Sequence, residues 1–387
     1  MIRNRNAIRL LCLFCLLVYP AINANLEAQT IIGQRNDSVS HSLIRHQLGF
    51  DIRPGYIVST HSFLQGDNMQ QKKIDQSLSF HLKYAFRFSK ESNLGRLFPH
   101  TYQGIGVSYH TFFSPVELGN PVSVYAFQGS RIAQLSPRLS LDYEWNFGAS
   151  FGWKKYDELS NPQNVLIGSK INAYINLGFL LNWQVHKYWK LAAGVDLTHF
   201  SNGNTHYPNG GLNVIGGRIG IVRTLDADEA PGPITPRRLF IKPHVSYDLV
   251  IYGATRKRGL VGDDVSSMIP GSFGVAGVNF APMYNFNNYF RAGLSADAQY
   301  DESANLKEYR VGKFYSGDLK FHRPPFRKQF AMGLSLRAEL VMPVFSINVG
   351  VGRNLIYSGG DMKGFYQILA LKTYITRLSL IHISEPT

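Results

Sequence analysis

The stretch LSLDYEWNFGASFGW, Leu139 to Trp153, decides the fold. Leu139, Leu141, Tyr143, Trp145, Phe147, Ala149, Phe151 and Trp153 fall on one face, and Ser140, Asp142, Glu144, Asn146, Gly148, Ser150 and Gly152 on the other. A period of two is the signature of a β-strand, and a run this long suits a tilted membrane crossing better than the five or six residues of an ordinary soluble strand. Leu78 to Phe88 repeats the pattern, with Leu78, Phe80, Leu82, Tyr84, Phe86 and Phe88 opposed by Ser79, His81, Lys83, Ala85 and Arg87. One face is apolar and rich in rings; the other is polar and glycine-rich.

Working outward along the chain, the same alternation marks fourteen candidate strands, near 48–58, 78–88, 102–113, 121–128, 138–153, 171–184, 188–200, 212–224, 239–252, 272–284, 288–300, 329–340, 344–351 and 365–376. Long loops follow the first, fifth, ninth and eleventh, while tight turns follow the sixth (His186, Lys187), the tenth (Asn285 to Asn287) and the twelfth (Met342, Pro343). Long connections on odd strands and short ones on even strands are the habit of an outer-membrane barrel. The expectation is therefore an all-β fold, a transmembrane antiparallel β-barrel of about 12 to 14 strands. The Pro-rich stretch Ala230 to Pro236 breaks the rule as a long connection on the short side, and Pro243 points to a bulge in the ninth strand. No repeat and no linker divides the chain.

Composition agrees. Of 387 residues, 44% are apolar and 13% aromatic, but only 17% are charged against about a quarter in typical soluble domains. That excludes a disordered chain, and a mean hydropathy of −0.12 excludes a polytopic helical membrane protein. Arg3, Arg5 and Arg9 precede the apolar block Leu10 to Tyr19, with Ala21, Ala24 and Ala28 beyond it. This order reads as a secretory signal peptide over residues 1–28, leaving 29–377 as the barrel. Cys12 and Cys15 both lie in the leader, so the exported chain has no disulfide and no thiolate chemistry. The balance is strongly basic, a formal +14, which in an exported protein favours anionic membrane lipid over nucleic acid. The final ten residues, 378–387 (LSLIHISEPT), read as a translated sequencing-library adapter, so the expectation is that the natural chain continues past about Arg377 and that a closing hairpin is missing.

Chemistry concentrates in one hairpin, His199-Phe-Ser-Asn-Gly203 followed by Pro208-Asn-Gly-Gly-Leu-Asn213. A bare His-x-Ser occurs three times, at His199/Ser201, His244/Ser246 and His382/Ser384, and facing separates them. On the seventh strand Leu191, Ala193, Val195 and Leu197 point to lipid, and by the same period His199 and Ser201 continue that outer stripe while Asp196 points inward. On the ninth strand His244, Ser246 and Asp248 face the lumen, where polar residues are the default. Asn213 shares parity with Ile215, Gly217, Ile219 and Ile221, and a hairpin centred near His206 sets it across from His199. Cross-strand neighbours lie about 5 Å apart, near enough for a side-chain hydrogen bond. The expected roles are Ser201 as nucleophile, His199 as general base and Asn213 as orienter of the ring, with Asn202 and Gly203 as oxyanion donors. The plainer reading makes Asn202-Gly203 and Asn209-Gly210 simple turn formers, but it leaves His199 and Ser201 as polar groups on a lipid-facing stripe.

The His-x-Ser-Asn motif on an outward strand, followed by Pro-Asn-x-Gly, resembles the lipid A 3-O-deacylase family, whose members remove an acyl chain from lipopolysaccharide in the outer leaflet. That family carries a glutamate where this chain has Asn213. The same segment is similar to outer-membrane phospholipase A, in which His-x-Ser-Asn-Gly and an asparagine twelve residues beyond the serine form a Ser-His-Asn triad; Ser201 to Asn213 has that spacing. There calcium and the glycine amide form the oxyanion hole. Gly203 matches, whereas an arginine and a serine of the calcium loop are Asn204 and Asn209 here. The resemblance implies a serine ester hydrolase of lipid A in the outer membrane of a Gram-negative bacterium, without a cofactor, with a calcium-dependent phospholipase A as the rival. A porin or surface-binding barrel with an inert hairpin is the third reading.

With the N-terminus in the periplasm, odd strands run outward, so the seventh ends at the cell surface and the site meets the outer leaflet. Lipopolysaccharide or phospholipid is then the partner, and Lys72, Lys73, Arg256, Lys257, Arg258, Arg323 and Arg327 in the long loops are candidates for its phosphates.

Overall fold

The computed structural model describes residues 44–89, 92–203, 205–226, 242–261, 266–269, 271–311, 318–376 and 379–386. The expected signal peptide and the Pro-rich stretch 230–236 lie outside them. All fourteen expected strands are present, and the chain forms two compact units.

The first unit holds β1 (Ile44–Ile57), β2 (Gln76–Phe88), β3 (Tyr102–Thr111), β4 (Gly119–Ser136), β5 (Leu139–Trp153), β6 (Ile171–His186), β7 (Trp189–Ser201) and β8 (Leu212–Thr224). Each pairs antiparallel with the next, and β1 also pairs with β8, Phe50 opposite Ile221, which closes the barrel at eight. The expected count of 12 to 14 strands in one barrel is not confirmed: among the described residues eight strands close and the others lie in separate sheets. Alternation fixes which face a residue takes but not which strand a given edge will find.

The second unit carries β9 (His244–Arg256), β10 (Gly259–Val261), β11 (Ser266–Met268), β12 (Phe273–Asn285), β13 (Phe290–Asp301), β14 (Lys307–Val311), β15 (Asp318–His322), β16 (Phe330–Val341), β17 (Phe345–Tyr357), β18 (Phe365–Thr376) and β19 (Ser379–Pro386). Seven of these make one sheet in the order β19-β18-β17-β16-β13-β12-β9, and β10-β11 and β14-β15 are separate hairpins. β19 comprises most of the ten residues read as adapter-derived.

Both units are polar inside and apolar outside. In β2, Ser79, His81 and Lys83 are buried while Phe80, Leu82 and Tyr84 are exposed; in β9, Asp248 is buried between the exposed Tyr247 and Leu249. A soluble monomer rarely tolerates contiguous apolar surface beyond a few hundred Å², so a wall of this kind is built for lipid. Among the described residues no helix is long and apolar enough to cross a membrane.

An eight-stranded barrel is just wide enough for side chains to fill it. Here the filling is ionic: Asp51 bridges Arg53 (3.1 Å), Lys83 (2.9 Å) and Arg218 (2.8 Å), and Glu144 bridges Lys83 (3.2 Å) and Arg218 (2.8 Å). Asp196 completes the balance 3.5 Å from Arg53. Three cations meet three carboxylates, which is how buried charge becomes tolerable. The second unit repeats the device, with Arg291 and Lys372 between Asp248 and Glu339 at 2.6 to 3.1 Å.

Toward the end of the first unit where β7 stops, an apolar cluster replaces the ions. Phe112, Trp153, Tyr174 and Phe200 pack there with Leu166, Ile167 and Leu212, all buried. Trp153 is the last residue of the founding stretch and was expected outside. Gly152 takes a φ of 94°, open to glycine at little cost, and the strand's end turns Trp153 in to stack on Phe112.

Candidate active site

Strand parity carries through to the end of β7. Val195 and Leu197 are exposed on the outer wall, Asp196 and Phe200 are buried inside, and His199 and Ser201 continue the outer stripe. Phe200 fixes this ending. Its fully buried ring sits against Trp153 at 5.0 Å and His110 at 5.2 Å between centroids, so the residues on either side of it must turn outward.

The hairpin closes as its spacing requires. His199 and Asn213 are direct register partners across β7 and β8, and His199 Nδ1 lies 2.7 Å from Asn213 Oδ1. A carbonyl oxygen only accepts, so this bond selects the tautomer with its proton on Nδ1, the one whose Nε2 has the lone pair that a general base needs. Ser201 follows two residues on along the same face, about 7 Å further up the strand. Ser201 and Asn202 are only 5% and 7% exposed, recessed at the end of a stripe where Leu197 and Ile215 stand open at 56% and 53%. Gly203 is buried too and adopts a φ of 61°. Asp196, on the opposite face, is engaged with Arg53 in the lumen and plays no part in the pair.

The second His-x-Ser set is structural. His244 Nδ1 is 3.0 Å from the Lys242 carbonyl, Ser246 donates to the Met283 carbonyl, and Asp248 is held by Arg291 and Lys372.

Sequence reading missed what holds the imidazole from the other side. Gly210 and Gly211 donate their backbone N–H groups to the carbonyls of Val165 (3.1 Å) and Leu166 (3.2 Å) in the β5–β6 loop. That loop is itself tied down: Asn164 accepts from the amides of Leu166 and Ile167, and Asn161 and Asn164 both donate to the Glu117 carbonyl. Gly211 takes a φ of 69°, and a Cβ added there would stand 3.0 Å from His199 Cε1 and 3.3 Å from the Phe200 carbonyl. Only glycine brings the backbone this close to the ring. Gly211→Ala should add roughly 1–2 kcal/mol of left-handed strain and push the imidazole aside by a few tenths of an ångström. The expected outcome is about a 10- to 100-fold fall in kcat in a barrel that still folds, read by ester hydrolysis alongside heat-modifiable gel mobility. Unchanged turnover would mean that Gly211 does not position the ring.

Comparison with known proteins gives the family. Residues 78–222, from β2 to the end of β8, match the family model described as Lipid A 3-O-deacylase (PagL). Residues 245–385, from β9 to β19, match that of the Acyloxyacyl hydrolase, C-terminal domain. The chain belongs to the lipid A 3-O-deacylase family. Membership together with the lipid-facing walls places it in the outer membrane of a Gram-negative bacterium. No curated protein matches the chain. Among solved structures it is similar to Neisserial surface protein A (9% identity, 46% of this chain and 96% of that one, TM-score 0.31). The siderophore receptor PirA from Pseudomonas aeruginosa is another (9% identity, 88% and 71%, TM-score 0.29).

Of the seven loop cations, four have carboxylate partners: Lys73 with Asp75, Arg256 with Asp301, Arg258 with Asp361 and Arg323 with Glu302. Lys72, Lys257 and Arg327 are exposed, and no described carboxylate pairs with them.

Asn213 stands where the family resemblance implies a glutamate. An amide orients the ring but offers no charge to an imidazolium. Asn213→Asp should therefore raise kcat, by about tenfold, and move the acid limb of the pH–rate profile to higher pH, because a carboxylate favours the protonated ring. A pH series of initial rates on both proteins checks this; a slower variant with an unmoved limb would mean that the orienter lies elsewhere.

Proposed function

We propose that the chain is an outer-membrane serine ester hydrolase that removes an acyl chain from lipid A. The observation that carries the reading is the 2.7 Å bond between His199 and Asn213 on the outward stripe, two residues before Ser201. Ser201 Oγ attacks the ester carbonyl while His199 Nε2 takes its proton. The oxyanion is met by the backbone N–H groups at Asn202 and Gly203. Collapse transfers the acyl group to Ser201 and returns the proton to the departing sugar hydroxyl. Water, activated by the same imidazole, then frees the fatty acid. The ester reaches the site from the lipid side, and with odd strands running outward the leaflet served is the outer one. No cofactor enters this scheme.

The ionic and aromatic filling of the lumen weighs against the pore reading for the first unit, and a cavity beside Arg53 and Asp196 is only about 10 Å³. A phospholipase A remains the second reading because Asn213 gives the asparagine form of the triad. Mass spectrometry of lipid A and phospholipids from expressing cells separates the two. Lipid A lighter by one acyl chain, with lysophospholipid unchanged and activity intact in a calcium chelator, is the expected result. Lysophospholipid that accumulates only with calcium present would transfer the assignment to the phospholipase.

A further inference from the structure

At the end of the second unit's sheet where β9 and β13 stop, a polar cavity of about 340 Å³ opens. Three consecutive cations, Arg256, Lys257 and Arg258, line it together with Asp301, Asp361 and His206, the last from the segment Gly203–Asn209, which belongs to this unit. Its volume falls within the range of small-ligand sites, about 300–1,000 Å³.

The two carboxylates act as struts. Asp301 Oδ2 accepts from Arg256 Nη1 at 2.9 Å, while its other oxygen takes the Ser303 amide at 2.8 Å and the Ser303 hydroxyl at 2.6 Å. Asp361 Oδ2 accepts from Arg258 Nη1 at 2.6 Å and from the Asn305 amide at 2.7 Å. Burial works to raise the Asp361 carboxyl, but the Asn305 amide and the Arg258 guanidinium outweigh it and hold it below its ordinary value, so it stays ionised. Arg258 Nη1 also reaches the Ser303 carbonyl. Each guanidinium is thus gripped through one nitrogen, and no described residue takes its Nη2 donors or the Lys257 ammonium. Three cations against two carboxylates leave an excess positive charge, with the spare donors around a single cavity. Planar forks and a point charge together are the usual receptor for a phosphate.

We propose that this cavity binds a phosphate monoester carried on a sugar headgroup. The volume exceeds what a bare anion fills, and the polar lining suits a saccharide better than an acyl chain. Binding here is independent of the chemistry assigned to Ser201, and the test uses the full-length Ser201→Ala protein in detergent so that turnover plays no part.

Calorimetric titration with glucosamine 1-phosphate, inorganic phosphate and glucosamine reads the proposal. The sugar phosphate should bind, with an affinity that falls as salt rises; glucosamine should not. Lys257→Gln, which leaves both ion pairs in place, should weaken the sugar phosphate about tenfold or more, and Lys257→Arg should restore most of the loss. Absence of sugar-phosphate binding, or equal binding by the Lys257→Gln protein, overturns the site. Inorganic phosphate binding as tightly as the sugar phosphate overturns the headgroup and reassigns the cavity to a free anion.

Discussion

Ser201→Ala should abolish removal of acyl chains while leaving the barrel intact. The expected loss in kcat is about 10⁴-fold or more, because the nucleophile and its base act as a unit and what survives is the contribution of the oxyanion donors and binding. His199→Ala should cost about as much, and the double variant little more than either alone. The non-additivity is the discriminating reading. If the losses multiplied, the two residues would be acting separately and the pair would not be the catalytic unit. The position matters as well: Ser246→Ala, at the other intact His-x-Ser, should leave turnover unchanged, since its hydroxyl is spent on the Met283 carbonyl. Assays on mixed micelles of purified lipid A, with gel mobility as the folding control, give all four values.

The second large effect falls on stability. Arg218 is almost wholly buried and bridges Asp51 and Glu144 at 2.8 Å each. Arg218→Met keeps much of the volume and removes the charge, so two buried carboxylates then share only Lys83 and Arg53. Breaking a buried pair from one side costs about 3–5 kcal/mol, because the partner's desolvation is no longer offset. The guanidinium-chloride midpoint of the detergent-folded chain should drop accordingly. A midpoint within error of wild type would mean that water or rearrangement solvates the carboxylates and that the network is not a stability element.

The wall of the barrel was legible in the sequence because β-structure writes its facing into every second residue. Leu78 to Phe88 and Leu139 to Trp153 needed no partner to be read. The His199–Asn213 pair was legible for the same reason, given one further datum, the loop length that centres the hairpin near His206. Closure was not legible. The pairing of Phe50 with Ile221 joins residues far apart in the chain, and each of those strands alternates as well as any other. The nearest signal was the long Pro-rich connection after β8, noted as an exception to the loop rule. Gly211 was not singled out because its importance lies in a tertiary approach to His199, which no local pattern records. The supports at Asn161 and Asn164 escaped for a related reason: their partners are backbone carbonyls and amides, and these carry no residue identity.

The packed interior of the first unit bears on how its rate must be measured. With the lumen filled by ion pairs and aromatic rings, the proposed mechanism brings ester to the outer wall, whose solvent is the bilayer. The governing concentration is then the mole fraction of acylated lipid in the membrane plane, replenished by lateral diffusion. Diluting the membrane with inert lipid should slow the enzyme as competitor does in solution, whereas adding more membrane of the same composition should leave its turnover number unchanged.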